Sequence, residues 1–117
     1  MERVVGIGGV FLRASDPVAL NAWYRDCLGL DLDEHGLWQP AAGPTVFAAF
    51  ERDTDYFGSP SQQVMLNFRV DDLDAMLTQL RATGADVAGE TQEMDGVGRF
   101  GWVTDPEGRR IELWQPA

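Results

Sequence analysis

Glu112 is the acidic side chain best placed to do chemistry. It alternates with Ile111 and Leu113 within Arg109–Gln115, a stretch whose period of two marks a strand. It therefore points away from that apolar pair and shares a face with Trp114. A carboxylate partly withdrawn from water can serve as a general base, or anchor a basic or hydroxylated ligand. It can equally be a structural partner, bonded to Arg13, Arg69 or Asn67 on the same mixed face. Phe11, Phe47, Phe100, Trp102 and Trp114 are candidate walls for a cavity around it. Aromatic walls with one or two polar groups suit a small organic molecule. The same side chains would also suit a dry core, and one register step would turn Phe100 and Trp102 away.

Other chemistries have little to stand on. The only histidine, His35, falls in Asp33-Glu34-His35-Gly36, read as a turn between strands. Cys27 lies on the apolar side of a helix and reads as a core thiol. A single cysteine cannot form an internal disulfide, so a reducing cytoplasm is the expected location. Asp71, Asp72 and Asp74 gather at a helix start, where the dipole favours negative charge. Arg13 and Arg69 occupy matching strand ends and could clamp an anion or pair with surface acids. No Ser-His-Asp arrangement, phosphate loop or cysteine-cluster spacing is present.

The elements that position these residues come in two copies. Val10-Phe11-Leu12-Arg13-Ala14-Ser15-Asp16 overlays Leu66-Asn67-Phe68-Arg69-Val70-Asp71-Asp72 at an offset of 56. Each copy starts as an alternating strand whose uniformly apolar set (Val10, Leu12, Ala14; Leu66, Phe68, Val70) should pack under helices. In the first helix Asp16 is the cap and Pro17 the first helical residue, with Leu20, Trp23, Tyr24 and Cys27 forming an apolar stripe. In the second, Asp71 or Asp72 caps, and Leu73, Met76, Leu77 and Leu80 form the stripe. Gly29 and Gly84 stand where a left-handed residue ends a helix. Three strands should follow in each copy: Leu30–Asp33, Gly36–Gln39 and Thr45–Glu51, then Ala85–Gly89, Gly98–Thr104 and Arg109–Gln115. Asp105-Pro106-Glu107-Gly108 is a tight turn.

The expected organisation is one domain over 1–117, with module one at about 4–52, a linker at about 53–62 and module two at about 63–117. Tyr56 and Phe57 in the linker are a lid or, in the favoured reading, a plug. Nine lysines and arginines against 19 acids give a net charge of −10. That balance argues against a phosphate-backbone partner; it serves solubility first and, if it acts in binding, favours a cationic ligand. No apolar run approaches a membrane span, and Met1-Glu2-Arg3 leads into a strand pattern rather than a signal peptide.

The segments Gly6–Ala14, Trp23–Leu30, Asn67–Asp74 and Thr104–Trp114 resemble the glyoxalase/bleomycin-resistance/extradiol dioxygenase (vicinal oxygen chelate) superfamily, especially its small bacterial glyoxalase-like proteins. The Asp-Pro-Glu-Gly turn before a glutamate-bearing strand is the most specific part. The resemblance implies an α+β fold in which two tandem βαβββ modules form a half-open barrel around a shared cavity. It also implies frequent homodimers. Its metalloenzymes carry ligands on the first and last strands, and these positions match Gly9, Met65 and Glu112 here. Phe47–Ala49 would face the cavity without offering a ligand atom. Only Glu112 can ligate well, so the expectation is no metal and no cofactor.

The reading that follows is a metal-independent small-molecule binder of the bleomycin-resistance kind, taking an apolar or cationic compound. Its binding residues would be Phe11, Phe47, Met65, Asn67, Trp102 and Trp114. Two alternatives stand beside it. One is a lyase, isomerase or dioxygenase with Glu112 as catalytic residue, with or without a divalent metal. The other is a structural domain with a collapsed cavity.

Overall fold

Both helices begin where an aspartate can satisfy their first free N–H groups. The computed structural model, which describes residues 1–117, places α1 at Pro17–Asp26 and α2 at Leu73–Ala82. Asp16 Oδ1 accepts from the Ala19 N–H and Asp72 Oδ1 from the Ala75 N–H, each at 3.0 Å. Gly29 and Gly84 follow the helices with φ of 78° and 81°, a region only glycine enters cheaply.

The strands are β1 (Asn67–Arg69), β2 (Asp86–Val87), β3 (Gln92–Met94), β4 (Gly98–Thr104) and β5 (Arg110–Pro116). They form one open sheet of order β1-β5-β4-β2, with β3 also paired to β4. β1 runs parallel to β5, and the other pairs are antiparallel. The turn into β5 is built on Asp105, whose Oδ1 accepts the N–H groups of Glu107 (2.8 Å) and Arg109 (3.1 Å). Its Oδ2 accepts the buried hydroxyl of Tyr24 at 2.7 Å, tying α1 to the sheet. Burial above all, then the bond to Asp105, raises the Tyr24 pKa well beyond the ordinary tyrosine range.

Both helices cover the same side of the sheet. Leu20, Tyr24 and Leu28 meet Leu73, Leu77, Leu80, Val103, Ile111 and Leu113 in a single core, with Cys27, Phe68 and Val70 packed against it. Each fully buried leucine contributes roughly 1.5–3 kcal/mol. Gly101 lets α2 approach β4, because a Cβ there would sit 3.2 Å from Leu77 and 3.3 Å from Leu73.

The first half of the chain departs from expectation. Leu30–Asp33, Gly36–Gln39 and Thr45–Glu51 join no ladder, and neither does the segment around Val10. A strand needs a run of backbone partners, and here a single bond, from the Asp33 N–H to the Leu37 carbonyl at 3.0 Å, links the first two of these segments without forming a ladder. Their apolar residues remain open, with Phe11 97% and Phe47 93% exposed. In the second half, Ala85–Gly89 shortens to β2, and the wholly exposed β3, which has no apolar alternation, is an addition.

Candidate functional site

Pairing register decides what the helix-free face presents. β4 and β5 pair Trp102 with Glu112 and Phe100 with Trp114, while β1 sets Asn67 opposite Glu112 and Arg69 opposite Trp114. Since Val103, Ile111 and Leu113 lie under the helices, all six of these side chains project to the other side. The open register question is thereby resolved: Phe100 and Trp102 share a face with Glu112.

Glu112 is only 8% exposed. Its Oε1 accepts from Asn67 Nδ2 at 2.6 Å, and its Oε2 accepts from the Tyr56 hydroxyl. A buried carboxylate is tolerable when both oxygens are satisfied in this way. Tyr56 reaches it from the linker. Burial first, then the bond to Glu112, pushes the Tyr56 phenol up to about 12, so it stays a neutral donor. Its ring stacks on Phe50 (5.6 Å, 21°) and meets Trp102 edge-on (6.2 Å, 82°). Phe57 also packs against Phe50, at 5.2 Å and tilted by 57°. Tyr56 and Phe57 thus cover the helix-free face beside Glu112 rather than the core under the helices.

Arg110 completes the cluster. Its guanidinium carbon lies 5.1 Å from the Trp102 ring centre and 6.0 Å from that of Tyr56. Its Nε donates to the Tyr56 carbonyl at 3.0 Å. Gln62 binds the Arg110 backbone through both its amide N–H and its oxygen, each at 2.8 Å, fastening the linker to β5. On the neighbouring row, Trp114 Nε1 donates to the Val97 carbonyl at 3.0 Å, and its ring stacks on Phe100 (6.3 Å, 5°). The Trp102 indole N–H is a buried donor without a partner.

Of the expected site residues, Glu112, Asn67, Trp102 and Trp114 come together. Met65 is half-buried just before β1. Phe11 and Phe47 are not brought to the cluster. Arg13 and Arg69 are not a clamp: the Arg13 carbonyl accepts from Arg109, while Arg69 donates to the Ala41 carbonyl at 2.9 Å. Tyr56 and Arg110 were not among the expected binding residues. Arg110 was legible, standing two residues before Glu112 on one strand. A pocket of about 130 Å³ opens on the opposite, helical side, lined by Trp38, Phe68 and Met76 among others. That is well below the several hundred Å³ of typical ligand sites.

The donors do not fit the metal that the superfamily's enzymes hold. Gly9 has no ligand atom, Met65 offers a thioether, and both Glu112 oxygens already accept hydrogen bonds. His35 is 82% exposed in its turn, 3.5 Å from Glu34. Nowhere do three His, Cys, Asp or Glu side chains converge.

Comparison with known proteins agrees with this architecture. The glyoxalase-like domain family matches residues 9–114. The crystal structure of TnmS3, an antibiotic binding protein from Streptomyces sp. CB03234, is 26% identical with a TM-score of 0.57, over 89% of each chain. A glyoxalase/bleomycin resistance protein/dioxygenase superfamily member from Sphaerobacter thermophilus has a TM-score of 0.64 at 16% identity, over 96% of this chain and 98% of that one. Lactoylglutathione lyase from Agrobacterium tumefaciens has a TM-score of 0.61 at 21% identity, over 97% and 95%. These last two likenesses concern the fold alone. No curated protein matches the chain. The chain belongs to the glyoxalase-like domain family and shares its fold with members of the glyoxalase/bleomycin-resistance/dioxygenase superfamily.

Proposed function

We propose that this protein binds a small organic molecule, without a metal, on the helix-free face around Glu112. The observation that carries the reading is a buried carboxylate set among Tyr56, Trp102 and Trp114, with hydrogen-bonding groups in place and no companion metal ligand. The likeness to an antibiotic binding protein supports the same class of ligand. The net charge of −10 favours neutral or cationic compounds over anions. Sequestration, as in bleomycin resistance, is the role this implies, in the cytoplasm.

The binding protein is proposed to be a homodimer of duplicated modules, bounded at about 4–52 and 63–117. Phe11, Phe47, Val46 and Val10 lie on strand-patterned segments yet are 97%, 93%, 65% and 54% exposed in the single chain. A second copy would bury them and bring Phe11 and Phe47 to the ligand wall. A second reading, a domain closed for good by its own linker, is favoured by the Tyr56–Glu112 bond. A thermal-shift screen of chelator-treated protein decides between them. Aromatic compounds should raise Tm, with the same shift when zinc or magnesium is restored. Silence across neutral, cationic and acidic aromatics would leave the closed domain, and a shift that requires metal would overturn metal independence.

A further inference from the structure

The Tyr56 phenol is held as a bound guest would be. The acceptor and the Trp102 wall belong to β4 and β5, whereas the phenol comes from a turn outside every helix and strand. Its hydroxyl donates to Glu112, its ring lies on Phe50 and against the Trp102 edge, and Arg110 stands over it. Trp102 supplies an independent observation. It is 4% exposed, and its indole N–H has no hydrogen-bond partner. The indole lowers the Tyr56 pKa, against the larger effects of burial and the bond to Glu112 that raise it.

A carboxylate acceptor beside an unused indole donor is the complement of a hydroxyl that gives one hydrogen bond and takes another. We propose that Tyr56 is an internal occupant of the binding site. The ligand is an aromatic hydroxyl compound that displaces Tyr56, donating its own hydroxyl to Glu112 and accepting from Trp102. This deepens the binding reading and rests on it. The exchange conserves the bond to Glu112 and adds a partner for the orphan donor. A plain arene would strand the Glu112 oxygen, and an ammonium would leave Trp102 unpaired.

p-Cresol and its methyl ether, p-methylanisole, test the proposal, because they differ in the donating hydrogen. Calorimetric titration of the full chain should show p-cresol binding at least about tenfold tighter than the ether. Tyr56→Phe, which keeps the ring and removes the competing hydroxyl, should tighten p-cresol about tenfold while its melting curve shows a folded protein. Hydrogen exchange at the backbone amides of residues 54–58 should quicken as p-cresol saturates the wild type. Equal affinity for the two compounds, unchanged exchange at saturation, or no gain in Tyr56→Phe would each overturn displacement. So would failure of p-cresol to bind either protein. If the wider screen still finds a ligand, the binding reading survives that failure; silence throughout removes both.

Discussion

At the scale of single residues, the site turns on one carboxylate and the hydroxyl that reaches it. The chain has two tyrosines, and both donate to buried acids: Tyr24 to Asp105 and Tyr56 to Glu112. Both phenols have raised pKa values, that of Tyr56 to about 12, with burial as the leading cause. The folded state therefore holds these protons more tightly than the unfolded chain, whose tyrosines titrate near about 10. The resulting stability is fully present below pH 10 and is lost as pH climbs toward and past 12. Absorbance titration should show almost no tyrosinate at pH 10; half-ionisation there would contradict the hydrogen bonds. The Asn67–Glu112 pair was legible in sequence, because alternation puts both on the mixed faces of their strands. Tyr56 was not, since periodicity says nothing about where a linker side chain lands.

At the scale of elements, local signals succeeded wherever they were sufficient. An aspartate cap, an apolar stripe and a closing glycine specify each helix without help from distant residues. β4 and β5 also emerged close to expectation, because only five residues, Asp105 to Arg109, join them and their pairing is nearly local. The strands of the first half fared differently. Val10–Ala14 alternates as clearly as Leu66–Val70, but a ladder requires a partner that the isolated chain does not bring to it. The contact between α2 and β4 gives a sharp test. Gly101→Leu must drive a side chain into Leu73 and Leu77 and should cost about 1–3 kcal/mol in urea unfolding, by lowering the midpoint. Gly89→Ala, where an added Cβ meets nothing within 4 Å, should change stability by less than about 0.5 kcal/mol. Equal effects would refute the close packing at Gly101.

At the scale of the whole molecule, the two halves differ in how well they are satisfied. The second half closes a sheet under both helices, and the first leaves apolar side chains in water. No helix is long and apolar enough to cross a membrane. Assembly of two copies is the proposed resolution, and light scattering at micromolar concentration should report twice the chain mass of 12.9 kDa. Phe47→Asp should return it to one chain; a wild type already at one chain would contradict the dimer. The superfamily was readable from the Asp-Pro-Glu-Gly turn and its neighbours, whereas the fate of the cavity depended on the linker. Binding on the helix-free face can be read directly from the four tryptophans. Trp102 and Trp114 lie on that face, while Trp38 lines the small pocket on the other side and Trp23 packs against the helical core. A proton–nitrogen correlation spectrum of chelator-treated protein resolves their indole N–H signals. Addition of a compound found by thermal shift should move Trp102 and Trp114 and leave Trp23 and Trp38 in place. Movement of Trp23 and Trp38 alone would put the ligand on the wrong side of the sheet and contradict the account.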